Sequence, residues 1–508
     1  MPTQSLDPHI LPLIAQVASH GDHLALVTKE GAFTYRDVLE ASARIAGALL
    51  ASQGDLREAR VAFLTPPGFD YVTTMWGIWR AGGIAVPLCV SHPPPELEYV
   101  IEDSDAALMV AHPTFEPTLR PIAAARQVSL CLTSDLFDTS QGLLPSIAAS
   151  RRAMILYTSG TTSKPKGVVT THANIQSQVT TLISAWEWTS DDRTLLVLPL
   201  HHIHGIINVL TCALWAGAVC EILPRFDAQQ VWDRFMHSGL TVFMAVPTIY
   251  VKLIALWEAA APEQQDAMSR ACSNMRLMVS GSAALPTTTL DKWQAISGHT
   301  LLERYGMTEI GMALSNSLHG PRLPGYVGFP LPGVEVRLVD EQGQIVGSGT
   351  PGEIQVKGPS VFLEYWRRPE ASIKAFRDGW FCTGDIAVVE EGACRILGRD
   401  NVDILKTGGY KVSAIEIEEV LRTHPDIQEC AVVGVQDVEW GERVSVALVL
   451  QPGQNLSLEA LRQWAKDRLA PYKVPSQILI MDELPRNAMG KVTKPHIVQQ
   501  FKIRNGSL

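Results

Sequence analysis

A segment rich in glycine and small hydroxyl residues, with two lysines, follows an apolar strand-like run at residues 153–156. Glycines and small side chains let backbone N–H groups approach phosphate oxygens, and lysines add positive charge. The segment does not fit the G-x-x-x-x-G-K-[ST] spacing of a Walker A loop. We therefore predict a phosphate-binding loop of another type, the alternative being a polar surface loop. The residues predicted to contact phosphate are Thr158, Ser159, Gly160, Thr161, Thr162 and Lys166.

Further motifs follow in order at residues 303–309, 380–385, 398–412 and 485–491. The first contains Tyr-Gly-Met-Thr-Glu, and the second contains Thr-Gly-Asp. The third contains Gly-Arg followed by Lys-Thr-Gly-Gly-Tyr-Lys, and the fourth ends in Gly-Lys. Together with the loop at 157–167, they resemble the motifs of the adenylate-forming superfamily of acyl-CoA synthetases, peptide-synthetase adenylation domains and luciferases. The resemblance implies that the protein activates a carboxylic acid with ATP through an acyl-adenylate. The first 150 residues match more diffusely.

The resemblance implies roles for residues around ATP, and each role suits the side chain. A carboxylate that attacks ATP passes through a crowded, negative α-phosphate, which cations, Mg²⁺ and oriented donors stabilise. Glu309 is expected to ligate Mg²⁺, which prefers oxygen donors, and Thr308 to donate to the α-phosphate. Tyr305 is expected to stack on adenine, and Asp385 to accept hydrogen bonds from the ribose hydroxyls. The other residues expected to contact ATP are Gly281, Ser282, Gly306 and Arg399.

The last motif ends at Lys491, which by resemblance bridges the acyl carboxylate and the α-phosphate during adenylation. The family then rotates its small domain about a hinge, and a glycine-containing loop replaces the lysine and guides the thiol of CoA. Asn401 occupies the hinge position, where many relatives have Asp or Lys, and Asn tolerates the varied backbone angles of a hinge. The predicted CoA-binding residues are Gly408, Gly409, Tyr410 and Lys411.

The segments that flank these motifs resemble malonyl-CoA synthetases, and residues 307–315 resemble the mitochondrial type in particular. Malonate carries a second carboxylate, which needs a cation or several donors when it is buried. Lys252, one to two turns after a predicted helix start at Pro247, matches the basic residue that meets this carboxylate in those relatives. Ile203 stands where some bacterial relatives have Thr, so methylmalonate is an alternative acid. The other residues predicted to bind the acid are His204, Arg276, Ser282 and Met307.

Periodicity predicts the elements that must hold these residues. Up to residue 330, buried strand patterns alternate with helical patterns, as at Val61–Thr65 and Ala228–His237, which favours βαβ units and a largely parallel sheet. From Gly333, period-two alternation favours antiparallel strands. We therefore predict an α/β protein with two domains. Residues 1–398 form a large domain of layered α/β sheets plus a β-rich subdomain, and residues 399–508 form a small, mobile α+β domain.

Composition narrows the classes of protein. The chain has 508 residues, of which 46% are hydrophobic, and this length predicts more than one hydrophobic core. Its formal net charge of −10 gives no support for nucleic-acid binding. No apolar run reaches the roughly 18 residues of a membrane span. Residues 1–21 lack the features of a signal or transit peptide, and the eight cysteines form no CxxC pair. We expect a cytoplasmic monomer or homodimer whose partners are ATP, a malonate-like acid and CoA.

Three alternatives stay open. A stand-alone enzyme that loads a carrier protein would use the same motifs, although a carrier domain is not expected in the seventeen residues after Lys491. A synthetase for another small acid, or for a fatty or aromatic acid, is the second alternative, and the lysine predicted in the acid pocket disfavours the larger acids. An inactive nucleotide-binding regulator is the third, disfavoured because Lys491, Glu309 and Asp385 are all present.

Overall fold

The computed structural model describes residues 11–51, 53–137, 142–158, 164–400, 402–408, 410–437, 440–487 and 490–504. Short 3₁₀ turns occur at Pro113–Phe115 and Pro471–Lys473, and a π-helix spans His204–Thr211. The α-helices of the described residues are α1 Pro12–Ala18, α2 Tyr35–Leu50, α3 Phe69–Arg80, α4 Pro94–Asp103, α5 Glu116–Arg126, α6 Thr133–Phe137, α7 His172–Trp186, α8 Cys212–Ala216, α9 Ala228–His237, α10 Pro247–Glu258, α11 Pro262–Ser273, α12 Thr287–Ser297, α13 Pro369–Lys374, α14 Ala414–Leu421, α15 Leu458–Lys466 and α16 Lys494–Arg504.

The strands are numbered in the same way. They are β1 Leu24–Thr28, β2 Gly31–Thr34, β3 Arg60–Leu64, β4 Ile84–Pro87, β5 Leu108–Ala111, β6 Ser129–Leu132, β7 Arg152–Thr158, β8 Lys166–Thr171, β9 Arg193–Leu196, β10 Val219–Ile222, β11 Val242–Ala245, β12 Leu277–Ser280, β13 Leu302–Met307, β14 Gly311–Ser315, β15 Phe329–Pro330, β16 Glu335–Val339, β17 Gly352–Lys357, β18 Glu364–Tyr365, β19 Phe376–Arg377, β20 Trp380–Glu390, β21 Ala393–Arg399, β22 Ile404–Thr407, β23 Tyr410–Ser413, β24 Ile427–Asp437, β25 Gly441–Leu450 and β26 Gln477–Ile480.

Two large sheets carry parallel strands separated by helices, as the alternating pattern predicts. Their described strand orders are β15-β14-β13-β12-β11-β9-β10-β1-β2 and β18-β8-β7-β4-β3-β5-β6. Both faces of these sheets are buried: in β3, Val61 and Phe63 belong to one core cluster, while Ala62 and Leu64 belong to another. This explains why the strands read as continuous apolar runs rather than as alternating ones.

The order of the strands determines where a ligand can bind. From β9 the chain crosses to β10 on one side and then returns to β11 on the other side of β9. Loops that leave the carboxyl ends of neighbouring strands in opposite directions open a crevice, and ligands bind there in doubly wound sheets. The loops after β9, β12 and β13 all leave this edge, and among the residues singled out above they carry His204, then Gly281 and Ser282, then Thr308 and Glu309.

The remaining strands confirm the predicted change from parallel to antiparallel pairing after residue 333. β16, β17, β20 and β19 form an antiparallel sheet with β21 on β20. The last sheet, β23-β22-β25-β24 with β26, packs helices α14 and α15 on one face and α16 on the other, in two separate core clusters. Hydrophobic packing of the large domain extends to Ile396, and that of the small domain starts at Leu405. The predicted fold class is confirmed, and the domain boundary after residue 398 stays a prediction.

A local capping signal sets the start of α2. Helix α2 starts at a reciprocal cap, in which the Thr34 hydroxyl accepts from the Asp37 N–H at 3.1 Å and the Asp37 carboxylate accepts from the Thr34 N–H at 2.7 Å.

Each of the eight cysteines is a free thiol. Within the described residues, no helix is both long and apolar enough to cross a membrane.

Candidate active site

Strands β7 and β8 form an antiparallel hairpin, and its connection is the predicted phosphate-binding loop. Thr158 pairs with Lys166 where the hairpin opens, so both residues flank the loop. The Tyr99 hydroxyl of α4 donates to the Pro165 carbonyl oxygen at 2.6 Å, which holds the end of the loop. The predicted phosphate contacts in between lie outside the described residues and stay predictions: Ser159, Gly160, Thr161 and Thr162.

Glu309 lies in the turn between β13 and β14, and it is only 5% exposed. Its Oε1 accepts a hydrogen bond from the Tyr365 hydroxyl at 3.0 Å, and Lys166 Nζ lies 5.0 Å from the centroid of the Tyr365 ring. Burial raises the pKa of Glu309, and the nearby donors and the charges of Arg399 and Lys166 offset only part of this effect. A buried carboxylate needs a compensating cation, so an oxygen-preferring ion such as Mg²⁺ fits this residue.

Tyr305, Asp385 and Arg399 meet near Glu309, whose pKa the charge of Arg399 helps to lower. The Tyr305 hydroxyl donates to Asp385 Oδ2 at 2.6 Å, and Arg399 Nε donates to Asp385 Oδ1 at 3.2 Å. Burial raises the pKa of Asp385, while Arg399 and Tyr305 lower it in part. Three residues from separate motifs, as much as 94 positions apart between Tyr305 and Arg399, therefore form one hydrogen-bonded group. An aromatic ring beside a carboxylate suits the predicted contacts to adenine and ribose.

The hairpin between β13 and β14 requires glycine at its bulge. The register shifts between Tyr305 and Gly306, and a Cβ on Gly306 would lie 2.1 Å from the carbonyl oxygen of Gly311. No other residue fits without moving the backbone. Met307 and Thr308 follow at the carboxyl end of β13, where both are partly exposed. The hairpin thus places them at the edge where the other site residues lie.

His204 and Ser282 come from different loops of the same edge. His204 Nδ1 lies 3.2 Å from Ser282 Oγ, and Ser282 adopts a left-handed backbone angle of φ +68°. Such a conformation costs a serine on the order of 1 kcal/mol and is concentrated at functional sites. Burial lowers the pKa of His204 well below its usual value, and the positive charges of Arg304 and Lys491 add to this effect. The imidazole is therefore neutral at physiological pH.

Arg304, for which no role was predicted, lies beside these residues. It is 3% exposed, and a Cβ on Gly281 would lie 2.4 Å from its Cζ, so the guanidinium packs directly against the loop that carries Ser282. Its Nε and Nη2 have no hydrogen-bond partner among the described residues. Burial lowers its pKa to about 10, which leaves it charged at neutral pH. Its position inside a buried strand was the available signal, because an arginine there needs a partner.

A tight hairpin presents Lys491. The Asn487 side-chain oxygen accepts from the Lys491 N–H at 3.0 Å, and Arg486 Nη1 donates to the Gly490 carbonyl at 2.8 Å. Arg486 is itself held by Glu429 at 2.8 Å. These bonds fix the backbone beside the lysine on the small domain, so the side chain enters the cleft from a defined direction.

The segment that carries Lys491 lies against the start of α10, on the side of the large domain where acid binding is predicted. A Cβ on Gly490 would lie 3.8 Å from the Thr248 hydroxyl oxygen, at the start of α10. Lys491 keeps a substantial exposed fraction, yet desolvation in the cleft, followed by the charges of Arg399 and Arg304, lowers its pKa to about 8. The structure thus brings the predicted catalytic lysine to the group formed by Asp385 and Arg399.

Adenylate formation is expected to decline at alkaline pH because Lys491 loses its charge. With a pKa of about 8 in the free enzyme, kcat/KM for pyrophosphate release without CoA should fall as pH rises through that value. In Lys491→Arg, whose guanidinium stays protonated, the same decline should be absent from the residual activity. An identical decline in both enzymes would assign it to another group.

The structure separates Arg276 from the acid site. Its Nε and Nη2 bind both carboxylate oxygens of Asp192 at 2.7 and 2.6 Å, and its Nη1 donates to the Trp186 carbonyl at 2.8 Å. Arg276 precedes β12, whereas Ser282 follows it, so the two lie at opposite ends of the strand. The prediction that Arg276 binds the acid is therefore wrong, because its guanidinium has a structural partner elsewhere.

Lys252 lies on α10, one helical turn beyond Thr248, and these positions share one face of a helix. It is exposed, and its Nζ lies 5.8 Å from the centroid of the Phe226 ring. Among the described residues, no hydrogen bond joins Lys252 to His204 or Ser282. Its role toward the acid stays a prediction.

The predicted CoA loop lies away from the cleft. Tyr410 is 54% exposed and stacks on Tyr472 with ring centroids 4.2 Å apart. Gly408 donates its N–H to the Trp440 carbonyl at 2.9 Å, and Lys411 pairs with Glu341 of the large domain. Gly409 and the predicted hinge residue Asn401 lie outside the described residues. The arrangement is the one expected for adenylation, with the lysine in the site and the CoA loop outside it.

Comparison with known proteins agrees with this geometry. The family described as AMP-binding enzyme matches residues 13–366, and the AMP-binding enzyme C-terminal domain matches residues 416–491. The mitochondrial malonate–CoA ligase ACSF3 of Bos taurus is 48% identical, over 96% of this chain and 90% of that protein. Among solved structures, ATP-bound MatB from Rhodopseudomonas palustris superposes with a TM-score of 0.89 at 34% identity, covering 96% of this chain and 98% of that one. MenE from Bacillus subtilis with ATP and magnesium has a TM-score of 0.83 at 27% identity, covering 95% and 98%.

One expectation is contradicted by these relatives. The sequence predicted a cytoplasmic location, whereas the similar ligase from Bos taurus is mitochondrial. The assignments of superfamily and reaction class are confirmed. The chain therefore belongs to the AMP-binding enzymes of the adenylate-forming superfamily and is an acid–thiol ligase of the acyl-CoA synthetase class.

Proposed function

We propose that this enzyme converts malonate, ATP and CoA to malonyl-CoA, AMP and pyrophosphate through a malonyl-adenylate. The observation that carries the choice of acid is the buried guanidinium of Arg304, unpaired among the described residues and packed against Gly281. The activity printed for the relative ACSF3 is the same.

A dicarboxylate fits this pocket better than a monocarboxylate. One carboxylate of malonate must face the α-phosphate, and the other then lies one methylene away and needs a cation. Arg304 supplies such a cation close to Ser282 and His204, and a bidentate pair would satisfy its free N–H groups. A simple fatty acid would instead leave a buried charge unpaired, which is costly. The pocket therefore selects for a short second carboxylate.

His204 provides a further polar contact without a charge. Its Nε2 is buried and has no partner among the described residues, while Nδ1 faces Ser282 Oγ. The tautomer with a proton on Nε2 would let the neutral ring donate to an acid oxygen. Met307, at the end of β13, would contribute apolar surface at the same edge.

The first half-reaction is a displacement at phosphorus. A carboxylate oxygen of malonate forms a bond to the α-phosphorus, the bond to the bridging oxygen breaks, and pyrophosphate leaves with the electron pair. Lys491, Arg399 and the loop lysine Lys166 supply positive charge around the phosphates, and Thr308 donates to the α-phosphate. Mg²⁺, held by Glu309, would neutralise charge on the phosphate oxygens when bound. Tyr305 and Asp385 orient the nucleoside.

The second half-reaction needs a different face of the small domain. The thiolate of CoA forms a bond to the acyl carbon, the bond from that carbon to the phosphate oxygen breaks, and AMP leaves with the electron pair. No bond to phosphorus changes in this step, so the charge that Lys491 offsets during adenylation does not form again. We propose that the domain after residue 398 rotates, with Asn401 as the hinge, and carries Gly408, Gly409, Tyr410 and Lys411 to the cleft. The Lys411–Glu341 ion pair between the domains would break in this rotation. Because both side chains are exposed and solvent screens their charges, its loss would cost little.

Methylmalonate is a second candidate substrate. Ile203, directly before His204, is half-buried at the start of the π-helix. A branched side chain there limits the room for a 2-methyl group but does not remove the cation that binds the second carboxylate. The acid is therefore expected to be accepted less well than malonate.

A panel of acids tests the proposal. With purified protein, ATP, Mg²⁺ and CoA, malonate should give the highest kcat/KM for pyrophosphate release, followed by methylmalonate, with acetate, octanoate and benzoate far lower. Malonyl-CoA identified by mass spectrometry should account for the AMP formed, which separates a synthetase from an enzyme that loads a carrier protein. A preference for a monocarboxylate would overturn the choice of acid and leave the reaction class intact.

A mitochondrial location is proposed from the relative named above, and cell fractionation with an antibody to the endogenous protein would test it. Monomer and homodimer are both compatible with a site built from one chain.

A further inference from the structure

Cys89, His92 and His201 form a cluster beside the active site that the proposed reaction does not use. One potential ligand atom from each of the three residues lies within 4.8 Å of the other two. Cys89 and His92 come from the loop after β4, in the spacing Cys-x-x-His, and His201 comes from the loop after β9. The two loops leave the carboxyl ends of strands in different sheets, so only the packing of the two sheets brings the three residues together.

We propose that these residues form a binding site for a thiophilic divalent cation of the zinc class. Cysteine thiolate and histidine imidazole are both zinc ligands, and three protein ligands leave the fourth tetrahedral position for water, as in catalytic zinc sites. Zinc–ligand distances of about 2.0–2.3 Å require ligand atoms to lie about 3.3–3.6 Å apart. The three atoms therefore need to approach by about 1 Å, which rotamer adjustments of half-exposed histidines can provide.

Neighbouring groups support metal binding in the way that outer-shell residues do. The Glu96 carboxylate lies 3.4 Å from His92 Nδ1, which favours the tautomer with a free lone pair on Nε2. Ser91 Oγ lies 3.1 Å from Cys89 Sγ and can donate to a thiolate.

The surroundings allow a metal to enter. Cys89 is only 4% exposed, but the His92 side chain is 25% exposed, and Val90 between them is 42% exposed. The partly exposed His92 imidazole thus offers a path from solvent to the buried Cys89 thiol. Mg²⁺ is not expected to compete, because it prefers oxygen ligands.

Metal binding would also restrain the acid pocket. The rings of His201 and His202 lie with centroids 4.0 Å apart and planes tilted by 49°, and the next residues lead into His204. The start of this π-helix packs tightly on the loop: a Cβ on Gly205 would lie 2.6 Å from the Pro199 carbonyl oxygen. A cation that pulls His201 toward Cys89 would thus shift the segment that positions His204, so we expect occupancy to slow adenylation.

The test uses the full-length protein and metal alone, without nucleotide, because ATP would chelate the ion. Competition with a chromophoric chelator should give one Zn²⁺ per chain for the wild type, and Co²⁺ should give a thiolate charge-transfer band with tetrahedral ligand-field bands. Cys89→Ser and His201→Gln should lose the stoichiometric binding and the charge-transfer band. Cys131→Ser and His319→Gln, which change a half-buried thiol and an exposed imidazole elsewhere, should retain both.

Failure to bind one equivalent of Zn²⁺, or equal binding by Cys89→Ser, would overturn the site. In a second arm, which rests on the proposed function, zinc-loaded wild type freed of excess metal should release pyrophosphate at least several-fold more slowly than its metal-free form. Cys89→Ser treated in the same way should show no difference. Full occupancy with unchanged rate would overturn the coupling to the acid pocket. A wild type that binds zinc but activates no acid would overturn the proposed function alone.

Discussion

Lys491→Ala is expected to lower the rate of malonyl-adenylate formation by about 10²- to 10³-fold, the usual effect of removing one preorganised group that stabilises transition-state charge. The lysine is held by the Asn487 and Arg486 hairpin and enters the cleft beside Asp385 and Arg399. It would meet the acyl carboxylate and the α-phosphate at the moment when negative charge increases. Pyrophosphate release or isotope exchange into ATP, measured without CoA, reports this step directly.

The second half-reaction is the internal control for this prediction. Thioester formation from chemically prepared malonyl-adenylate should stay near the wild-type rate, because the small domain then presents a different face. Lys466→Ala, an exposed lysine at the end of α15, should leave both half-reactions unchanged. An equal loss in both half-reactions for Lys491→Ala would indicate a general structural defect and contradict the assigned role.

Arg304→Met is expected to reduce kcat/KM for malonate far more than for acetate. Truncating one partner of a buried charge pair costs about 2–5 kcal/mol, which corresponds to a loss of roughly 30-fold to several thousandfold. Acetate has no second carboxylate and should lose little, or even gain, because the variant no longer buries an unpaired charge. The same pyrophosphate assay, run with each acid, gives the ratio of the two effects.

A thermal unfolding measurement shows whether Arg304→Met loses activity because it binds malonate less well or because its fold is less stable. An unpaired buried guanidinium is destabilising in the free protein, so Arg304→Met should not lower Tm. Lys252→Met is the matched comparison, because Lys252 is an exposed cation on the neighbouring helix. If it proves the more selective variant, the second carboxylate binds at α10 rather than at β13. An equal loss with malonate and acetate in Arg304→Met would indicate that Arg304 serves the phosphates instead.

Some of the active site could be predicted residue by residue. Glu309, Asp385, Arg399 and Lys491 stand in motifs whose residue types are required by phosphate chemistry. The structure brings them to one cleft, although their functional roles await the experiments above. Local signals were equally reliable for elements such as α2, whose Thr34–Asp37 cap and apolar face define its start and its buried side.

Other assignments failed or were missed because they depend on contacts between distant segments. Arg276 and Ser282 lie only six positions apart in the sequence. Because a strand rises about 3.3 Å per residue, they lie at opposite ends of β12. Arg276 instead pairs with Asp192, 84 positions away. Neither partner can be identified from spacing along the chain.

The sequence by itself determined the reaction class, the order of the motifs, the alternation of helices and strands, and the change to antiparallel strands after residue 333. These follow from local periodicity and from residue types that the chemistry demands. Only the tertiary structure decided that Arg304 lies unpaired behind Gly281, and that Cys89, His92 and His201 meet between two sheets. The physical reason is that strand order and the packing of sheets are set by long-range burial of apolar surface, which brings together side chains whose separation in sequence carries no record of their contact.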